Sequence, residues 1–567
     1  MPSVIAAVNF SQCLEEVRSG QWGTTGGLDN YGHPLSNISE ATAITYDLCL
    51  TACGSGSEAF DWNIFSQQFT AWLLPYLALV SQLPFGAKTR LENLVSMFLT
   101  VGSPTLAAYS VALTVLNGHW IAERFAHLNY PNIRNAVRIL SSLQQSSLQI
   151  DTENSLLASL IILPENDEWW LELALWLNYV HTWSISAVAS ILWVVIAYLF
   201  TVVDSFTGVL NYSTLNANGQ AVGSVFLWLL PIVVAWLQIS PKCDFLRVHQ
   251  AIRRANAIAY VATPNGQPTL ASSLSSKRAI SIRHGAGEIH CDEQCTAPIF
   301  NYARFLPWTL AVEDVYYAFR EASFKSERNQ PVNSQAAWET GDKAVRVRPA
   351  NRRGSLPQVV AYAEPGFKCF EPDLPNGRPR ARWGSGVVSR FFVASVLALG
   401  LTWGTIGAAL IVSYFTPAKG IGCRAGSYLI YGVLSTVIWI MLVASSLLAH
   451  YSTSTATFNG RYLHTKSTRL AGIISIILRR TGKTLATINT VWIMLACLFQ
   501  FSSFFDRCYC NSSIFTLGKN AYNVIDILPK DVAALNAPWI GGVALAGGCA
   551  ILFLAFVNVL IDPALPD

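Results

Sequence analysis

The sequence predicts an all-α fold: a polytopic membrane helix bundle of seven or eight transmembrane helices with a partly ordered cytoplasmic loop domain. Three observations predict it. Eight stretches of roughly twenty apolar residues recur along the chain, and none carries Lys, Arg, Asp, Glu or His near its middle. About 20 residues at 1.5 Å rise cross a hydrocarbon layer of about 30 Å. Charged residues are only 13% of the 567 positions, against about 25% in soluble domains. Positive charge is gathered in one long loop: residues 242–390 hold 21 Lys or Arg against 13 Asp or Glu, which reads as a cytoplasmic face by the positive-inside rule.

Four regions follow: a polar amino-terminal region (1–67), a first transmembrane half (68–241), the basic loop domain (242–390) and a second transmembrane half (391–567). The spans fall at 70–85, 94–116, 183–203, 222–239, 391–415, 428–448, 485–505 and 539–561; the first is short and reaches upstream toward Phe60. Trp169, Trp170, Trp183, Tyr414, Tyr428, Tyr431 and Trp539 cluster at span ends, where amphipathic rings suit the headgroup level. Pro75, Pro104 and Pro231 interrupt spans, and such breaks persist only where neighbours or water satisfy the freed backbone groups. Met1–Phe10 lacks a basic segment and a long apolar run, so no cleavable signal peptide is expected.

Two topologies satisfy the charges. In one, eight spans leave both ends inside. In the other, Gly102-Ser103-Pro104 breaks the second apolar segment into a re-entrant hairpin, leaving seven spans and an external amino terminus. Residues 1–67 favour the second: they hold Arg18 as their one basic residue, three cysteines and the sequon Asn37-Ile38-Ser39.

Within the loop, residues 243–262 predict an amphipathic helix, with Phe245, Val248 and Ile252 opposite Arg247, Arg253 and Arg254. A second helix is predicted over 312–324, opened by Pro307. From 326 to 389 the composition turns to Pro, Gly, Arg and Asn with little periodicity, which predicts a flexible stretch.

His284, His290, Cys291 and Cys295 form a dense group of metal-capable side chains whose chemistry suits Zn²⁺, although H-x5-H-C-x3-C is no familiar finger spacing and a structural loop explains it equally. Cys423, Cys508 and Cys510 fall in external loops, so Cys423 has two candidate disulfide partners; Cys49 and Cys53 are a further candidate pair. Asn37, Asn211 and Asn511 head glycosylation sequons. Ser355 follows Arg352-Arg353-Gly354, a basic context that suits phosphorylation. Arg479 to Lys483 resembles a P-loop in part but lacks its opening glycine and preceding strand. Residues 469–480 instead read as an interfacial helix on anionic lipid headgroups, and Arg378, Arg380, Arg382 and Arg390 read as a further headgroup contact. Gly400, Gly404 and Gly407, with Gly542, Ala546 and Gly547, offer small faces for close helix packing.

Phe60-Asp61-Trp62, the run from Trp72 to Leu79, Gln82 to Gly86, Gly102-Ser103-Pro104 and Cys291-x3-Cys295-Thr296-Ala297-Pro298 together resemble a group of multi-pass membrane proteins of filamentous fungi. The resemblance touches about a third of the chain and implies a membrane location; no activity comes with it.

Function reads as transport or facilitated passage of a neutral or amphipathic small molecule, since spans without acids or bases exclude the usual parts of proton coupling. A structural or signalling role through the loop is the alternative. An embedded enzyme using His119, His127, His284, His290, Glu313 or Asp314 is a second. No catalytic motif and no nucleic-acid partner is indicated. Lipids of the plasma membrane or an endomembrane are the expected surroundings, and zinc is the one candidate cofactor.

Overall fold

The computed structural model describes the chain apart from residues 1–6, 152–154, 181–182, 208–212, 275, 284–286, 342–346, 365–382, 454–456, 459–460, 463–465 and 567. It is mostly helical. The helices used below are α1 (Phe10–Arg18), α2 (Tyr46–Ala52), α3 (Trp62–Gln68), α4 (Leu74–Val80), α5 (Arg90–Gly102), α6 (Pro104–Phe125), α7 (Ile133–Ser142), α8 (Leu156–Ile162) and α9 (Asp167–Leu177). They continue with α10 (Ile185–Thr207), α11 (Ser213–Phe226), α12 (Leu229–Ile239), α13 (Phe245–Ala257), α14 (Asn301–Glu327) and α15 (Leu356–Ala363). The last four are α16 (Val387–Phe415), α17 (Cys423–Thr453), α18 (Lys466–Phe501) and α19 (Pro529–Leu560).

Five helical segments are long and apolar enough to cross a membrane: Gly219–Ile239, Val387–Phe415, Cys423–Thr453, Lys466–Phe501 and Leu535–Leu560. Their exposed large side chains include Val388, Phe392, Ile440, Ile488, Ile551 and Val559, which is the surface a lipid solvent demands. The segment predicted over 94–116 instead forms α5 and α6, bent by 104° at Gly102-Ser103-Pro104. The segment predicted over 70–85 begins earlier, at Trp62. There α3 and α4 are joined through one π-helical turn, Phe69–Leu73, and Pro75 sits in the first turn of α4. Asp61 caps α3 by accepting from the Asn63 amide at 2.7 Å.

Two large apolar cores divide the molecule. The first is built from α4, α5, the first half of α6, α11, α12 and α16–α19. The second joins the last turns of α6 to α7, α8, α9, α13, α14 and α15. Residues 242–363 therefore do not pack alone: they share a core with residues 121–177. Leu148–Ile150 even pairs antiparallel with Ile280–Ile282. The stretch expected to be flexible is largely ordered where described. Val332, Val347 and Val359 are buried in the second core, and Asn351 holds Glu339 through two hydrogen bonds of 2.8 and 2.9 Å. Arg352 explains much of this order. Its side chain is 2% exposed, pairs with both Asp167 oxygens at 2.7 and 2.8 Å, and donates to the Ile162 carbonyl.

Several other expectations are corrected. The loop's second helix starts at Asn301 and holds Pro307 inside it, where the ring forgoes one i→i−4 hydrogen bond. Residues 469–480 are no separate interfacial helix but part of α18, whose 36 residues give a rod of about 54 Å. Arg390 points inward: it donates to Asn117 at 2.6 Å and lies over the Trp120 ring. Trp169, Trp170, Tyr428, Tyr431 and Trp539 are packed inside instead of ringing the surface. Of the proposed small-residue face, Gly404 meets Cys549, Gly542 meets Val412 and Gly407 touches Leu545, whereas Gly400 and Gly547 face open space.

At the far end from the second core, the amino-terminal region is stitched to the loops between α16 and α19. Ala43–Thr45 lies between Gly27–Leu28 and Tyr522–Val524 in a three-stranded sheet. Disulfides join Cys13 to Cys53, Cys49 to Cys508 and Cys423 to Cys510.

Candidate functional site

The break between α5 and α6 is the feature with the most chemistry. Proline at 104 lacks an amide hydrogen, and it disfavours a helical conformation at the residue before it; Ser103 accordingly lies at φ −140°, ψ 82°. Ending α5 inside an apolar core frees carbonyls that no water can satisfy, each costing several kcal/mol if left bare. The structure supplies side chains for them. Tyr431 donates to the Val101 carbonyl at 2.7 Å and Asn489 to that of Gly102 at 2.8 Å, and Thr490 adds a donor to the Phe98 carbonyl, one turn earlier, at 3.0 Å. On the α6 side, Ser103 donates to the Ser435 carbonyl, and the Ser435 hydroxyl accepts from the Thr105 amide at 3.1 Å. All these donors come from α17 and α18, apart from Ser103 and Thr105 themselves. Gly102 has no alternative, since a Cβ there would overlap the Ala486 carbonyl.

The outer ends of α5 and α6 both reach residues of the 242–363 region. Gly86, just before α5, accepts from the Phe245 amide at 3.0 Å and from the Thr296 hydroxyl. The end of α6 is buried in the second core. Between the two legs sit residues 295–301. Ser110 donates to the Ile299 carbonyl, and Asn301 donates to Thr114 at 2.6 Å. A cavity of about 20 Å³ is bounded by Ser96, Thr100, Ala107, Trp236, Pro298 and Ile299, room for about one water.

A buried ionic clasp holds that plug. Asp292, 2% exposed at its side chain, receives hydrogen bonds from Lys483 and Tyr302. Arg479 donates to the carbonyls of Ile289, at 2.8 Å, and Glu288. Arg480 pairs with the Glu288 carboxylate at 2.8 Å. Beneath them Arg304 is satisfied by oxygens of Gln144, Gln145, Cys295, Ala297 and Asn301. Burial pulls its pKa down to about 10, still cationic at neutral pH.

The metal-capable group is described only in part. His284 lies outside the described residues. His290 is bound to Glu293 at 2.7 Å, Cys291 is exposed, and burial pushes the Cys295 thiol up to about 12. Among the described residues the three share no common point; the one convergent set is Cys49, Cys53 and Cys508, all in disulfides. Of the two partners open to Cys423, the structure selects Cys510, and Cys508 goes to Cys49, with Cys53 going to Cys13. Asn37 is exposed and accepts from the Ser39 hydroxyl at 2.8 Å. Asn511 is held by Arg424, with Ser512 and Ser513 buried, and Asn211 lies outside the described residues. Ser355 caps α15, bonded to Gln358 at 2.9 and 3.0 Å. The candidate enzyme residues are spread out: His119 faces Glu123, and Glu313 is taken by Arg124 at 3.0 Å and Ser385 at 2.6 Å.

Sequence reading missed Asn489, Thr490, Tyr431 and Ser435. The available signal was polar side chains at helical spacing inside otherwise apolar spans. It missed the clasp because Asp292 and Lys483 are 191 positions apart.

These features define a class: a helical protein whose five long apolar helices suit an integral membrane protein, with a broken helix at its centre. Comparison with protein-family models, curated proteins and solved structures returns no match.

Proposed function

We propose that this protein is a membrane facilitator for a neutral or amphipathic small molecule, with the α5–α6 hairpin as its moving part. The observation that carries the reading is the 104° break, sealed between its legs by residues 295–301. Discontinuous helices whose backbone groups are satisfied by neighbours are how membrane proteins place polar groups at mid-depth without charge. The side chains lining this break are hydroxyls, a phenol and a carboxamide, suited to an uncharged solute.

A topology accompanies the proposal. The hairpin enters and leaves on one side, and seven spans remain: α3–α4, α10, α11–α12 and α16 to α19. Three disulfides at one end fit an oxidising exterior or lumen, and the basic second core fits the cytosol. The exposed Asn37 would then be glycosylated. Anionic headgroups would meet the exposed Arg480 and the neighbouring Ile473 and Ile477 of α18.

The clasp offers the test. Asp292→Asn weakens its hold on Lys483 and Arg479 and should raise the reactivity of Thr100→Cys toward a water-soluble thiol reagent several-fold in membranes. Equal protection in both proteins would count against a gate here. The second core, ordered by Arg352 and Asp167, favours as a second reading a binding unit on the same face; loss of phenotype with undiminished flux on disrupting it would support that.

A further inference from the structure

A cavity of about 410 Å³ lies at the disulfide end of α18, apart from the hairpin. One wall is Trp492, Ala496 and Phe499, successive turns of one helix face. The opposite wall is Tyr46 and Leu50 of α2, and the Cys423–Cys510 disulfide closes one end. The lining is almost wholly apolar and aromatic. Its one charge is Arg507, whose guanidinium lies 4.0 Å from the centre of the Phe504 ring.

Arg507 differs from the other arginines of this end. Arg18 pairs with Asp526 and Arg424 with Asp506. Arg507 donates to the Phe504 carbonyl at 2.9 Å and has no carboxylate within ion-pair distance among the described residues. The cavity also adjoins an exposed apolar face: Val491 and Leu495, next to Trp492 and Ala496 on α18, are 48% and 41% exposed on an apolar, membrane-length helix. A cation at the mouth of an apolar chamber of this size matches an amphiphile with an apolar chain and an acidic head.

We infer that this cavity binds one acyl chain of an anionic lipid from the surrounding leaflet, with the lipid's carboxylate or phosphate on Arg507. The site does not depend on any movement of the hairpin, so it stands or falls separately from transport.

The test uses the full-length protein in neutral nanodiscs with two photoactivatable probes, a long-chain fatty acid and its uncharged methyl ester. The fatty acid should label peptides containing Leu50, Phe499 or Tyr509. Ala496→Phe, which fills the chamber, should reduce that labelling by at least about fivefold at unchanged thermal stability. Arg507→Gln should weaken the acid about tenfold while leaving the ester unchanged, the effect of one lost charge-assisted contact. A photoactivatable phosphatidic acid labelling the same peptides, uncompeted by inorganic phosphate, identifies lipid rather than free anion as the ligand. Labelling spread over α10 and α19, or equal in wild type and Ala496→Phe, would overturn the inference. Equal loss of acid and ester in Arg507→Gln would overturn the role given to the charge.

Discussion

The side-chain amide of Asn489 donates to the carbonyl of Gly102 at 2.8 Å and to that of Tyr431 at 3.1 Å, joining three helices at one point. Gly102 ends α5, Tyr431 belongs to α17 and Asn489 to α18. The bond explains how an interrupted helix persists in an apolar core. Asn489→Ala leaves two buried carbonyls without that donor and should cost about 1–3 kcal/mol in detergent unfolding. Gly102→Ala should cost about as much by overpacking against the Ala486 backbone. Unchanged melting in both would mean that the break is not held this way.

Non-reducing peptide mapping should recover Cys13–Cys53, Cys49–Cys508 and Cys423–Cys510. Cys49 and Cys508 are 459 positions apart, so this bond ties the amino-terminal region to the loop after α18. Replacing both with Ser should cost about 2–5 kcal/mol and release that region to protease. A Cys423–Cys508 peptide would contradict the arrangement.

Asp167→Ala removes the half-exposed carboxylate paired with the buried Arg352 guanidinium, which keeps the Ile162 and Leu163 carbonyls, and should destabilise the second core by about 1–2 kcal/mol. Limited proteolysis should then cut first within residues 329–364. Combining Asp167→Leu with Arg352→Met removes both charges at once and should recover part of the loss. Equal sensitivity of the single and double variants would refute the ion pair's role.

Thiol reactivity reads the plug directly. Burial holds the Cys295 and Cys243 thiols up at about 12, so near pH 7.5 almost none is thiolate. Cys291 is exposed. Maleimide at pH 7.5 should therefore modify Cys291 quickly and spare the other two, whose thiolate fraction rises only as pH approaches 12. Zinc at this segment would have to draw Cys295 out of its burial and His290 from Glu293; rapid labelling of Cys295 in the folded protein would show that this burial is wrong.

How much of this was legible beforehand differs by element. The long spans were, because each is a local run of apolar residues. So was the break at Pro104, because proline acts on its immediate neighbours. Arg352 was misread: a basic residue among Gly, Pro and Ser gave no local sign of a partner at Asp167, 185 positions earlier. The tryptophans at 169 and 170 fitted a membrane interface by composition, but the second core that buries them forms only when two separate loops meet. Asn489 was hidden for the same reason, since its use depends on Gly102 arriving from 387 positions away.

The most direct measurement is sidedness mapping of introduced cysteines by an impermeant reagent on sealed vesicles, in a background that carries both Cys291→Ser and Cys369→Ser. The exposed positions Lys88 and His127 flank the hairpin, and exposed Asn37 marks the amino-terminal region. The account predicts that Lys88→Cys and His127→Cys react from one side and Asn37→Cys from the other. Reaction of Lys88→Cys and His127→Cys from opposite sides would make α5–α6 a single crossing and contradict the re-entrant hairpin.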